Sequence, residues 1–319
     1  MFVGGYVLLC CALVKNNRCS LECFMLRFNR IGVTVKSDLN ERDQAVRNII
    51  AILKKAGAEV CLDAKRCSAL QSARGVPRFE HEEHIDLLIV IGGDGTILRA
   101  VRELRDFRIP ILSVNRGAVG FLAETNIEDA EKLLPPLLQG KGILEERSLL
   151  RIEARRKKKV LFSGSVLNEA VISQGSIARL MDLQTSINGE QLTTFRADGL
   201  ILATPTGSTA YSLSAGGPIV HPKISATILT PINSYSFSQK PVVIPGDLMV
   251  EVELLSKKNK FGDTEVILTL DGQTYVALER GDVVTAQIAP QTVKFVRRNQ
   301  DTFFGTLRTK LKWGERVEE

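Results

Sequence analysis

The chain lacks any apolar run long enough to cross a bilayer, any paired-cysteine motif and any basic stripe interleaved with aromatics. Each absence closes off a class of function. The most apolar N-terminal stretch, Phe2 to Val14, is too short for a membrane span. It also lacks the basic leader and small-residue cleavage site of a secretory signal, so no membrane partner is expected. Six cysteines are present, four of them within the first 23 residues, and none forms a Cys-x-x-Cys pair or lies near a His pair. A structural zinc site is therefore not expected, and free thiols place the chain in a reducing cytoplasm. Aromatics make up only 6% of the chain. The net charge of +6 is scattered, and the densest basic cluster, Arg155-Arg156-Lys157-Lys158-Lys159, sits between apolar runs as a hairpin turn. Nucleic-acid binding is not expected. The modest positive balance suits small polyanions such as nucleotides.

What is present is a soluble, aliphatic composition: 319 residues, 44% hydrophobic, enough for two domains. Residues 1–24 read as an appended extension, because strand-like sequence that fits the rest begins at Arg30 and Met25 makes a sensible start. From there strands and helices alternate. Ile31–Val35 is β-branched, and Ala45, Val46, Ile49, Ile50, Leu53 and Ala56 recur at helical spacing up to Gly57. Val60–Leu62, Leu87–Ile91 and Ile111–Val114 are further strands, and Asn126 to Leu138 reads as a helix broken by Pro135-Pro136. This alternation predicts a Rossmann-like parallel α/β domain over residues 25–142. Beyond it, short strand patterns dominate, with Asn188-Gly189 a hairpin turn and Val283–Ala289 and Thr292–Val296 separate strands. Residues 143–298 are expected to form a mostly antiparallel, sandwich-like domain. The tail, 299–319, is helix-compatible from Thr302 to Trp313 and is expected to pack back onto the first domain. Ala226–Leu229 and Ser234–Gln239 are generic.

Two segments carry chemistry. Gly92-Gly93-Asp94-Gly95-Thr96 follows an apolar strand and precedes a helix beginning near Ile97. Glycines there let backbone N–H groups and a helix N-terminus approach phosphate oxygens. A carboxylate in such a loop would repel phosphates, so Asp94 is expected to meet magnesium or to take a hydroxyl proton. The second segment, Phe195 to Pro218, combines Gly199, Gly207, Gly216, Gly217, Pro205 and Pro218 with many hydroxyls and little charge. Gly and Pro exclude a long helix. Backbone brought close to a polyhydroxylated, phosphorylated ligand explains the pattern. On a strand, Arg196 and Asp198 would share one face.

The two motifs in this order closely resemble the NAD kinases, and the likeness runs from about Ile31 to Trp313. It extends through Asn115-Arg116-Gly117-Ala118-Val119-Gly120-Phe121-Leu122, Leu167-Asn168-Glu169, Asp271-Gly272-Gln273 and the closing Lys310-Leu311-Lys312-Trp313-Gly314. The resemblance implies that ATP or polyphosphate phosphorylates the 2′-hydroxyl of the adenosine ribose of NAD, with Asp94 as general base and magnesium on the donor phosphates. It places Gly92, Gly93, Gly95, Thr96 and Arg99 at phosphates, as it does Arg179. Asp94 and Gly95 would also meet NAD. Phe121 would border the adenine pocket, and Asn168 with Glu169 the ribose and phosphate region. Thr209, Ala210, Tyr211, Ser212, Leu213 and Ser214 would surround the adenosine half, with Gln273 within reach. Asp198, supported by Arg196, would address the nicotinamide ribose. A homodimer or homotetramer is implied. Gly-Gly-Asp-Gly-Thr also occurs in diacylglycerol and sphingosine kinases, so a lipid kinase remains open, as does a non-catalytic NAD(P) sensor.

Overall fold

The computed structural model describes residues 27–36, 43–67, 75–80, 84–115, 120–175, 180–255, 266–298 and 303–313. The expected extension, 1–24, and Arg179 lie outside them. The first half runs β1 (Arg30–Val35), α1 (Asp43–Lys55), β2 (Glu59–Asp63), β3 (Arg78–Phe79), β4 (Leu87–Ile91), α2 (Asp94–Glu103), β5 (Ile111–Asn115), β6 (Thr125–Asn126) and α3 (Ala130–Leu138). Strands β3-β2-β1-β4-β5 pair in that order, all parallel. Burial on both faces explains why Leu87–Ile91 and Ile111–Asn115 are continuously buried runs rather than alternating ones. Strand order reverses beside β1 and β4, and the glycine loop leaves the carboxyl end of β4, where open α/β sheets collect ligands.

The second half is antiparallel. It runs β7 (Ile143–Arg156), β8 (Lys159–Val166), β9 (Glu169–Gln174), β10 (Met181–Ile187), β11 (Glu190–Ala197), β12 (Gly199–Ala203) and the short α4 (Tyr211–Ser214). There follow β13 (Ala226–Ile232), β14 (Val242–Pro245), β15 (Val250–Leu254), β16 (Val266–Leu270), β17 (Thr274–Leu278), β18 (Asp282–Arg297) and α5 (Phe303–Leu311). Among the described residues, β14-β13-β12-β9-β16-β17 form a six-stranded sheet. It faces β7, β8, β10, β15 and β18 across a core containing Phe195, Leu200, Leu202, Leu229 and Leu268.

These last strands belong to the same sheet as the parallel ones. Strand β18 pairs antiparallel with β7 and β15 and, at Phe295↔Ile111, parallel with β5, so among the described residues one 12-stranded sheet crosses both halves. Sequence reading separates β18 into two strands. It is one, with its register broken between Ile288 and Thr292, where Pro290 has no N–H to give the ladder. One more expectation is corrected. Helix α3 is not broken at Pro135-Pro136: both lie inside it, and their carbonyls accept from Gln139 and Lys141. Its buried Leu134, Leu137 and Leu138 anchor it to the core. The generic Ala226–Leu229 run is a strand inside the second sheet, between β12 and β14.

Because β18 hydrogen-bonds to both halves, the chain should melt in one transition. Phe295→Ala, at a side chain 1% exposed on that seam, should lower stability by about 3–5 kcal/mol without splitting the transition. Calorimetry of parent and variant checks both points.

Candidate active site

The glycine loop is shaped by what each residue clears or caps. Gly92 N–H donates to the Val114 carbonyl at 2.9 Å, and a Cβ there would come within 2.4 Å of Thr96 Oγ1. Gly93 is the N-cap residue of α2, and Thr96 is buried on its inner face. Asp94 opens the helix and is held by the next loop: Phe121 N–H donates to its Oδ2 at 3.0 Å and Leu122 N–H to its Oδ1 at 3.3 Å. Gly120 makes this approach possible, since a Cβ there would lie 2.0 Å from Asp94 Oδ1. Each carboxylate oxygen keeps a lone pair for a substrate. Arg99 crosses to β1, where its Nη2 donates to the Val35 carbonyl at 2.6 Å.

The second half meets this loop through one hairpin. Asp271 and Gly272 both have positive φ, 48° and 65°. That is the type I′ geometry an Asp-Gly pair favours between two strands. The turn throws the Asp271 carboxylate inward, where it accepts from the N–H groups of Leu167, Asn168 and Glu169 at 2.9, 2.8 and 3.1 Å. Leu167 and Asn168 therefore sit in a bend between β8 and β9 rather than on a strand. Gln273 reaches the other way: its Nε2 donates to the Gly95 carbonyl at 2.7 Å, and its Oε1 accepts from Arg102. Its amide is thus a clasp between hairpin and loop.

Beside the bend lies Glu169, buried with no hydrogen-bond partner for its Oε2. Desolvation, with the Asp271 charge second, pushes its carboxyl up to about 8. Asp271, which takes the three N–H bonds, is also raised, chiefly by burial.

Thr204 to Ser214 folds over the same bend. Thr204 Oγ1 donates to the Leu167 carbonyl at 2.6 Å and accepts from Gly207 N–H at 3.1 Å. A Cβ on Gly207 would overlap the Asn168 carbonyl at 2.2 Å, so only glycine fits. Ser208 and Ser212 spend their hydroxyls on Pro205, Val220 and Thr230. Thr206, Thr209 and Ala210 line the open cavity, while Tyr211 is 46% exposed. Leu213 carbonyl and Ser214 belong to the α4 turn.

Asp94, Phe121, Asn168, Thr209 and Ala210 thus converge on one cavity of about 890 Å³. Arg196 and Asp198 do not line it. Arg196 stands over Tyr235, 5.4 Å from the ring, and 3.9 Å from Asp182, whereas Asp198 accepts from Asn233 at 3.1 Å. The expected pairing of the two fails because Asp198 sits in the bend between β11 and β12, which ends strand alternation. The cavity also has a wall that motif reading missed: Glu124, Glu145, Arg147, Arg297, Arg298 and residues of α5. They come from four separated segments, and of them only α5 ends in a motif noted from the sequence, the one that opens at Lys310. Helix α5 is seated by Phe303 and Phe304 against His221, with ring centroids 5.0 and 5.7 Å away.

The ATP-NAD kinase N-terminal domain model matches residues 31–142 and the ATP-NAD kinase C-terminal domain model residues 167–298. The chain belongs to the NAD kinase family. The NAD kinase of Geotalea daltonii is 41% identical over 79% of this chain and 86% of its own. That of Syntrophotalea carbinolica is 38% identical over 90% and 99%. Among solved structures, yeast NADH kinase complexed with NADH superposes with a TM-score of 0.78 at 25% identity, over 91% of this chain and 90% of that one. An NAD kinase from Archaeoglobus fulgidus in complex with ATP gives 0.68 at 28% identity, over 89% and 98%.

Two outcomes are expected. Gly120→Ala should leave the fold intact but displace the Phe121–Leu122 loop from Asp94, cutting turnover by about 10²-fold or more; kinetics and a melting curve on the same preparation check this. Glu169 binds a proton in the folded state up to about pH 8 but unfolds to a carboxyl near 4.5. Its contribution to stability is therefore full below pH 4.5 and lost as pH rises to about 8. Glu169→Gln, uncharged throughout, should flatten the fall in melting temperature across that window.

Proposed function

We propose that the chain transfers the terminal phosphoryl group of ATP, or of polyphosphate, to the 2′-hydroxyl of the adenosine ribose of NAD, giving NADP. The observation that carries this reading is the Asp94 carboxylate, fixed by two backbone N–H groups at the wall of a cavity to which both halves contribute. Asp94 accepts the hydroxyl proton as the ribose oxygen forms its bond to phosphorus and the bond to the leaving phosphate breaks. Phosphoryl transfer asks little covalent work of a protein, so positioning and charge stabilisation supply the rate. Asn168, Thr209 and Ala210 supply polar edges and backbone for the nucleotide. The charged walls suit a dinucleotide.

Magnesium belongs to the same reading. Among the described residues no group of three or more His, Cys, Asp or Glu side chains converges. A single carboxylate, Asp94, fits an ion held mainly by donor phosphates and water. When bound, magnesium would neutralise charge on those phosphates. Assembly into a homodimer or homotetramer is also part of the proposal, supported by Tyr235 and Phe237, which are 73% and 89% exposed. A cytoplasmic setting accords with the free, buried thiols of Cys61 and Cys67. No described helix is long and apolar enough to cross a membrane.

Asp94→Asn keeps shape but removes the base. It should lower turnover by about 10²–10⁴-fold while NAD affinity stays within a few-fold. A variant retaining more than a tenth of the parent rate, measured as NADP formed, would remove Asp94 from that role.

A further inference from the structure

The cationic wall of the cavity is unused by the acceptor chemistry above. Arg147 lies near the start of β7, almost fully buried. Its Nη2 donates to Glu145 at 2.9 Å and its Nη1 reaches Thr206 Oγ1 at 3.4 Å. Its Nε is buried with no hydrogen-bond partner. Glu145 is not Arg147's alone, because Arg297 Nε donates to the same Oε2 at 2.9 Å. One carboxylate oxygen therefore serves two guanidiniums. Burial opposes the charged form of Arg147, and the Arg297 charge adds to that opposition.

On the facing side, α5 carries Arg308 and Lys310 in its last turn, and both line the cavity. Neither has an ion-pair partner among the described residues. Among the described residues the cavity lining brings five cations to three carboxylates, and one of the three, Asp94, already accepts two backbone bonds. The buried Arg147 keeps an unfilled N–H at its Nε, Arg308 and Lys310 stand open to the cavity, and a guanidinium with unfilled N–H capacity is suited to phosphate oxygens.

The arrangement is also tied to the base. Arg297 Nη1 donates to the Leu122 carbonyl at 3.0 Å, and the N–H of the same residue holds Asp94. A single residue thus sets the distance between the arginine wall and the carboxylate.

We propose that Arg147, Arg308 and Lys310 form the subsite for the phosphate chain of the phosphoryl donor, with Arg147 tied to Asp94 through Glu145, Arg297 and Leu122. The proposal rests on the kinase reading and deepens it. The shared chemistry is a linear chain of phosphates, whether it ends in a nucleoside or continues as polyphosphate. These are positioning residues for the donor, and α5 becomes part of the active site.

Binding of inorganic tripolyphosphate to the full-length protein, measured by calorimetry, tests the subsite independently of turnover. Arg147→Gln removes one cation while Glu145 keeps Arg297. The Arg308→Ala/Lys310→Ala double variant changes only the surface of α5 and guards against a folding defect at the buried site. Each should weaken tripolyphosphate by about tenfold or more, with partial recovery in Arg147→Lys. Steady-state kinetics should show a raised KM for the donor and an unchanged KM for NAD. A rise for ATP with no use of polyphosphate assigns the site to a nucleoside triphosphate, and a rise for both assigns it to the phosphate chain alone. Unchanged tripolyphosphate affinity in both variants, or no binding by the parent, overturns the proposal even if NADP forms. Normal, Arg147-dependent binding without NADP formation would instead overturn the kinase reading.

Discussion

The Asp271 carboxylate is the interaction on which the rest of the site depends. A type I′ turn aims it inward, and it gathers the N–H groups of Leu167, Asn168 and Glu169 into one bend. That bend supplies the carbonyls of Leu167 and Asn168, onto which Thr204 closes. From the same turn Gln273 grips the Gly95 carbonyl. A buried carboxylate is costly unless its hydrogen bonds are filled. Three charge-assisted bonds fill this one, leaving its neighbour Glu169 to hold a proton instead.

Sheet continuity joins the two halves. Strand β18 brings the Arg297 end of the second half against β5 of the first. The cavity therefore spans two halves that share a backbone ladder. Its floor carries the base, its roof the folded hydroxyl segment, and one wall a set of arginines whose carboxylate partners are fewer than their guanidiniums could use. Many hydroxyls of Thr204 to Ser212 hold the roof together, so binding there falls to the remaining side chains and to backbone.

Much of this was legible in the chain because glycine and Asp-Gly patterns encode backbone geometry locally. Gly92 to Thr96, Gly120-Phe121 and Asp271-Gly272-Gln273 each announced a turn with a reason for its residues. The parallel half was readable from its unbroken apolar strands. What was hidden depends on contacts distant in sequence. Arg147, Arg297 and Arg308 look like ordinary surface charge until β7, β18 and α5 bring them to one wall. Pro135 and Pro136 read as a helix break because local rules omit the packing of Leu134 and Leu137. Pro290 divided what the β7 pairing holds as one strand, and the bend at Asp198 cancelled an alternation argument that assumed a straight strand.

One chemical event follows from this geometry: phosphorus moving from donor to the adenosine ribose beside Asp94. Incubating the purified chain with NAD and ATP labelled at the terminal phosphorus, then locating the label in the product, tests it most directly. Label on the 2′-oxygen of the adenosine ribose, with loss of transfer on Asp94→Asn, is the predicted result. Label released only as inorganic phosphate, or found at another hydroxyl, would contradict it.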